Sequence, residues 1–177
     1  MINKKTFFLL LFSAITFSLK AQKGNNGLQL SVQGAIPTGK LANVVNIGFG
    51  TALKGLYGFG KTPQHLTLEA GYNRFEVKNI PATSDAYYSS IPLYVGYHAR
   101  LGRIILEGQA GTAFNHVEGS GSSGKVSSNQ TAFGWALGAG YVYNGFELGV
   151  RYQNSEADTD TYVIRFLGIR LAYNFTL

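Results

Sequence analysis

The sequence predicts an all-β fold, an eight-stranded antiparallel up-and-down transmembrane β-barrel, and three observations predict it. Segments of about 10–13 residues alternate large apolar side chains with small or polar ones, close to the roughly 9–11 residues a tilted strand needs to cross the hydrocarbon layer. Short connections alternate with longer polar ones, as periplasmic turns alternate with external loops. The second face of each strand is dense in glycine instead of lysine and glutamate. That face suits the inside of a narrow barrel better than a solvated surface.

The N-terminus reads as a secretory signal peptide over residues 1–21, leaving 22–177 as the barrel domain. Lys4 and Lys5 form its basic end, Thr6–Leu19 its apolar run, and Ala21 offers a small residue for cleavage. The apolar run is shorter than the roughly 20 residues of a transmembrane helix. Leu19 departs from the usual small residue three positions before the cut, so the exact cleavage site stays open. Removing Lys4, Lys5 and Lys20 takes the formal charge from +6 to +3, too little and too scattered to argue for nucleic acid. The chain has no cysteine, which excludes a disulfide framework and thiolate metal sites.

Strand one spans Gly27–Ile36, with Leu28, Leu30 and Val32 alternating with Gln29, Ser31 and Gln33. Pro37-Thr38-Gly39-Lys40 breaks it. Strand two spans Ile47–Phe59; Phe49, Leu53 and Tyr57 share a face, Lys54 lies on the other, and Leu56 is out of pattern. Strand three spans His65–Glu76, with Leu66 and Leu68 outward and Thr67 and Glu69 inward. Val77–Tyr88 is expected to be a loop. Strand four covers Ser89–His98, and Pro92 is expected early in it, where a missing N–H costs least. Strand five covers Arg103–Asn115, with Glu107 and Gln109 inward. His116–Gln130 is Gly/Ser-rich and is expected to be a flexible loop.

Strands six and seven form the clearest unit, Thr131–Gln153. Phe133, Trp135, Leu137, Tyr141 and Tyr143 alternate with Gly134, Ala136, Gly138 and Gly140. Asn144-Gly145 supplies the two positive-φ positions of a type I′ turn. Phe146, Leu148, Val150 and Tyr152 then alternate with Glu147, Gly149, Arg151 and Gln153. Asn154–Asp160 is an acidic loop, and Thr161–Phe175 is strand eight.

On this register Lys54, Glu69, Glu107, Glu147, Arg151 and Arg170 point inward, three acids balancing three bases. Unpaired charge in so narrow an interior is costly, so a salt-bridge network that plugs the barrel is expected. A catalytic carboxylate cluster is the alternative. Arg165 falls outward near the external end, where an interfacial arginine is tolerated.

No catalytic residue, cofactor or metal site is expected. His65 and His98 sit at periplasmic strand ends and His116 at an external loop start, without metal-ligand spacing. Asp85, Glu156, Asp158 and Asp160 could hold calcium loosely but lack a calcium-loop pattern. The glycine stretches Gly48–Gly60 and Gly134–Gly140 fit no phosphate-loop motif. Ser155 follows Arg151-Tyr152-Gln153-Asn154 with no histidine in the run, so the match to the eight-stranded lipid A deacylases is poor.

The runs Ile91–Tyr97, Phe133–Tyr141, Glu147–Tyr152 and Leu167–Phe175 resemble the PorT-like outer membrane β-barrel family, small eight-stranded barrels of the OmpA/OmpX type. The resemblance covers nearly the whole mature chain. It implies insertion by the outer-membrane assembly machinery into outer-membrane lipid. Gly168, Leu171, Tyr173 and Phe175 resemble the C-terminal insertion signal, which here ends on Thr176-Leu177 instead of an aromatic residue. The named family member serves a secretion apparatus, but no residue here carries that role over. The expected function is a non-enzymatic, monomeric barrel in the bacterial outer membrane, acting structurally or through external loops in adhesion or contact with an extracellular or secretion-apparatus partner. A lipid-modifying barrel enzyme and a soluble lipocalin-like periplasmic carrier are the alternatives.

Overall fold

The computed structural model describes residues 26–59, 62–80, 85–121, 124–156 and 163–177; the segment 1–21 expected to be a signal peptide lies outside them. Eight strands close into one barrel, each antiparallel to its neighbours in chain order, with β1 also pairing β8. They are β1 Gly27–Pro37, β2 Gly48–Gly58, β3 Gln64–Glu76, β4 Asp85–Leu101, β5 Ile104–Gly121, β6 Gly124–Tyr143, β7 Phe146–Glu156 and β8 Ile164–Thr176. Closure satisfies the backbone along every strand edge within the hydrocarbon layer, where no water can do so.

Alternation sets the two faces. Leu30, Val95, Leu148 and Ile169 stand outward and exposed, while Gln29, Lys54, Glu69, Tyr94, Arg151 and Arg170 are buried inside. The bulk therefore faces lipid and the polar set fills the interior, the arrangement of a membrane barrel. Leu56, out of pattern in the sequence, is buried on the inward face. Asn144 and Gly145 have φ of 48° and 83°, the tight turn expected between β6 and β7.

Three segments differ from expectation. Residues 116–130, expected to be a flexible loop, instead prolong β5 and β6 in unbroken register to Gly121↔Gly124. Ladder hydrogen bonds need no apolar side chains, and a polar hairpin outside the membrane leaves no hydrophobic alternation to detect. β4 likewise begins at Asp85, inside the expected loop, and pairs with β5 from Ser120 onward. Pro92 is consequently mid-strand. The β3–β4 pairing skips from Ala70↔Leu93 to Asn73↔Ser90 around it, so the missing N–H is absorbed by a local gap in the ladder.

The break after β1 is the third. It folds as a 3₁₀ turn, Gly39–Asn43, and turns Leu41 and Val45 into the external mouth. There they meet Ala35, Phe75, Ile164 and Phe166, with the Phe75 and Phe166 ring centroids 5.4 Å apart. An apolar cork thus sits above the charged interior.

Candidate functional site

The inward charges come from different strands, and closure brings them together. β2 supplies Lys54 and β3 supplies Glu69 directly opposite it. β5 supplies Glu107, β7 Arg151 and β8 Arg170. Glu69 is the hub. Lys54 Nζ is 3.4 Å from it, Arg151 Nη1 2.6 Å and Arg170 Nη2 2.9 Å. Lys54 also pairs with Glu107, and Arg151 Nη1 lies 3.9 Å from that second carboxylate. Arg170 donates to Ser31 Oγ at 2.6 Å, and Gln109 reaches Glu69 at 3.4 Å. Buried ions held this way are costly to unpair, because each carboxylate has given up its water.

Glu147 stands apart from the other five. Its carboxylate accepts a hydrogen bond from Gln29 Nε2 at 2.9 Å, and no ion pair reaches it among the described residues. It lies nearer the periplasmic mouth, at the start of β7, and lines the cavity there. His98, which the inward charge set did not include, is buried with Nδ1 3.0 Å from Glu107 Oε2. The sequence placed His98 at a strand end, yet its inward phase with Tyr94 on β4 carried the signal.

That mouth holds a cavity of about 240 Å³ whose walls include His65, His98, Arg100, Glu147 and Asn174. A second void, among Glu107, Glu147, Arg151 and Arg170, measures about 20 Å³.

The outer half carries a different feature. β4, β5 and β6 run on beyond the lipid-facing band as a three-stranded sheet. β6 pairs with β7 only from Phe133↔Glu156, so on the side away from β5 its residues 124–129 face no described strand. Lys125 Nζ is 2.7 Å from Glu118 Oε1, a diagonal pair across the hairpin. The Lys125 ammonium holds the Glu118 carboxyl below its ordinary range, with His116 and Tyr87 adding hydrogen bonds. Arg165 is half-buried near this end and pairs with Glu156 and with Asn154 Oδ1, the latter at 3.0 Å. Asp158 and Asp160 lie outside the described residues. Among the described residues no three His, Asp or Glu converge on a metal position.

Ser155 is fully buried on the inward face and its Oγ accepts from Asn115 Nδ2 at 3.3 Å. A serine acting on lipid would have to face the bilayer. At the far end of the chain, Leu171, Tyr173 and Phe175 project outward, and Tyr173 stacks edge-on with Phe146 at 4.9 Å and Phe175 at 4.8 Å. Gly168 faces inward, where an added Cβ would meet Gln33 Oε1 at 3.0 Å.

No curated protein matches the chain in sequence. Solved structures do resemble it. Ail, the attachment invasion locus protein of Yersinia pestis, aligns with a TM-score of 0.60 at 15% identity, over 87% of this chain and 100% of that one. Ail has also been solved in complex with the heparin analogue sucrose octasulfate. Neisserial surface protein A aligns at 0.57 and 15% identity, over 86% and 97% of the two chains. The N-terminal barrel domain of Pseudomonas aeruginosa OprF aligns at 0.60 and 14%, over 86% and 100%. At such identities the likeness is one of fold. The sequence itself matches the family described as "Outer membrane protein beta-barrel domain" over residues 7–175. A bilayer-facing apolar exterior, a closed eight-stranded barrel and that match together place this chain in the outer membrane protein β-barrel family, resident in the bacterial outer membrane.

Proposed function

We propose that this protein is a non-enzymatic outer-membrane barrel that is closed to solutes and acts through its external β4–β6 sheet in adhesion or partner contact. The observation that carries the reading is the β6 edge at residues 124–129, which runs beyond the lipid-facing band paired with β5 on one side and facing no described strand on the other. Such an edge accepts an extended segment of another protein by strand addition. Ail, by its name, serves attachment, and it binds a sulfated sugar analogue. Here two external ion pairs, Lys125 with Glu118 and Arg165 with Glu156, offset basic charge at this end, which favours a polypeptide over a polyanion.

Closure to solutes is supported by the apolar cork, the ion network beneath it and the void of about 20 Å³, roughly the room of one water. Within the family we place the chain among PorT-like members, on the Ile91–Tyr97 and Leu167–Phe175 runs. We assign residues 1–21 to a cleaved signal peptide, and Gly168, Leu171, Tyr173 and Phe175 to recognition by the assembly machinery. A barrel closed on itself needs no second copy, so the reading is of a monomer.

The test replaces residues 119–126 with a two-residue turn and compares adherence of cells displaying either form to immobilised fibronectin, laminin and collagen. Adherence lost with the short form, while both forms keep a heat-dependent shift in SDS gels, supports the reading. Equal adherence of both forms to each surface, or none by the full-length protein, overturns it.

A further inference from the structure

His65 and His98 are directly opposed across the β3–β4 ladder, both on the inward side and both in the wall of the periplasmic cavity. Their ring centroids lie 5.8 Å apart at an interplanar angle of 73°. An ion about 2.0–2.1 Å from one nitrogen of each of two imidazoles sets the ring centroids roughly 5–6.5 Å apart, for bond angles from tetrahedral to linear. The observed spacing falls in that window without movement of either strand.

The surroundings prepare one of the two rings. Glu107, an acceptor only, takes the Nδ1 side of His98 at 3.0 Å. The ring proton therefore belongs on Nδ1, and the lone pair of Nε2 is left as the donor atom. A carboxylate behind a histidine is the usual way in which a metal-binding ring is oriented and made more basic. Lys54 anchors Glu107 from its other side, so the orienting group is itself fixed. Across the cavity the Glu147 carboxylate, held only by Gln29 among the described residues, supplies a negative field that favours a cation. Arg100 also lines the cavity, but its Nε is tied back to Gly102 O at 2.9 Å in the exposed turn.

We infer that the His65–His98 pair, oriented by Glu107, is a binding site for a divalent borderline metal ion such as zinc, nickel or cobalt, entered from the periplasmic side. Imidazole donors select such ions over magnesium and calcium, which take oxygen ligands. No third His, Asp or Glu completes the set among the described residues, so water fills the remaining positions and the ion exchanges. The site is independent of the external sheet and stands or falls separately from the adhesion reading.

The test uses the full mature barrel, refolded in detergent without a histidine tag, and titrates zinc by calorimetry and cobalt by visible absorption. One equivalent is expected, weakened at least tenfold in His65→Ala and in His98→Ala and unchanged in His116→Ala, which removes the external histidine. Glu107→Gln is expected to weaken binding roughly 10- to 100-fold while both imidazoles remain. His65 is half-buried at a strand end, so its variant tests the site even where His98→Ala fails to fold, and the SDS heat shift reports folding for each. No binding above the detergent blank, undiminished binding by His65→Ala, or loss in His116→Ala overturns the assignment.

Discussion

The Tyr94 hydroxyl occupies the space where a side chain on Gly134 would begin: a Cβ there would lie 2.1 Å from Tyr94 Oη and 2.8 Å from two ring atoms. Tyr94 is fully buried and reaches from β4 across β5 to β6. Gly111 on β5 clears the way in between, since a Cβ there would lie 2.3 Å from Leu93 O and 3.0 Å from Tyr94 Cα. The ring also faces Arg151, whose guanidinium carbon is 5.9 Å from its centroid. A glycine in the sequence is thus the counterpart of a tyrosine forty residues away.

Gly134→Ala is therefore expected to destabilise the barrel by about 1–3 kcal/mol, the range for overfilling a packed interior. Paired with Tyr94→Leu, its cost is expected to fall well below the sum of the two single variants, because the second change removes what the first collides with. Urea unfolding in lipid vesicles checks both, and strict additivity would show that the ring and the glycine do not share the space.

Lys54 is buried between Glu69 and Glu107. Lys54→Met leaves Glu69 two arginine partners but strips Glu107 of its principal base, and a loss of about 3–5 kcal/mol is expected, as for other broken buried pairs. Lys54→Met combined with Glu107→Gln is expected to recover most of it, since the orphaned charge is gone. The same unfolding assay decides, and a double variant no more stable than Lys54→Met would refute the charge argument.

Phe166 is fully buried in the apolar cork. Phe166→Ala is expected to cost about 3–5 kcal/mol. The loss should be local: amide exchange of residues 38–46 is expected to accelerate before that of β6 and β7, because Leu41 and Val45 lose their packing partner. Uniform acceleration over all strands would show that the cork is not a separate unit.

Glu118 titrates outside the lipid-facing band. Its pKa lies below the ordinary 4.5, chiefly through the Lys125 hydrogen bond. A depressed carboxyl stabilises the fold above its unfolded pKa, and that contribution is lost as pH falls through the folded value. The β5–β6 hairpin tip is thus expected to keep its amide protection at neutral pH and to lose it as the medium is acidified below 4.5, with Lys125→Ala already less protected at pH 7. NMR amide exchange across that range measures it, and a tip equally protected in both proteins at all pH values would refute the tie.

The sequence by itself determined the barrel's two faces, its strand count and the β6–β7 turn. A period-two alternation reports which side of a strand meets lipid regardless of the neighbouring strand, so Leu148 outward and Arg151 inward needed no partner to be assigned. Asn144-Gly145 was equally local, because the turn's dihedrals belong to those two residues. The tertiary structure decided what depends on register between distant strands. Alternation put six charges inside but could not say that Glu69 would gather three bases while Glu147 met only an amide, nor that His98 would stand against Glu107 and opposite His65. It also decided the external end. Leu41 and Val45 turn inward and cover Phe75 and Phe166, which the mouth would otherwise leave open, and the polar hairpin to Gly121 and Gly124 persists on backbone pairing without an apolar face, which leaves no mark in side-chain hydropathy.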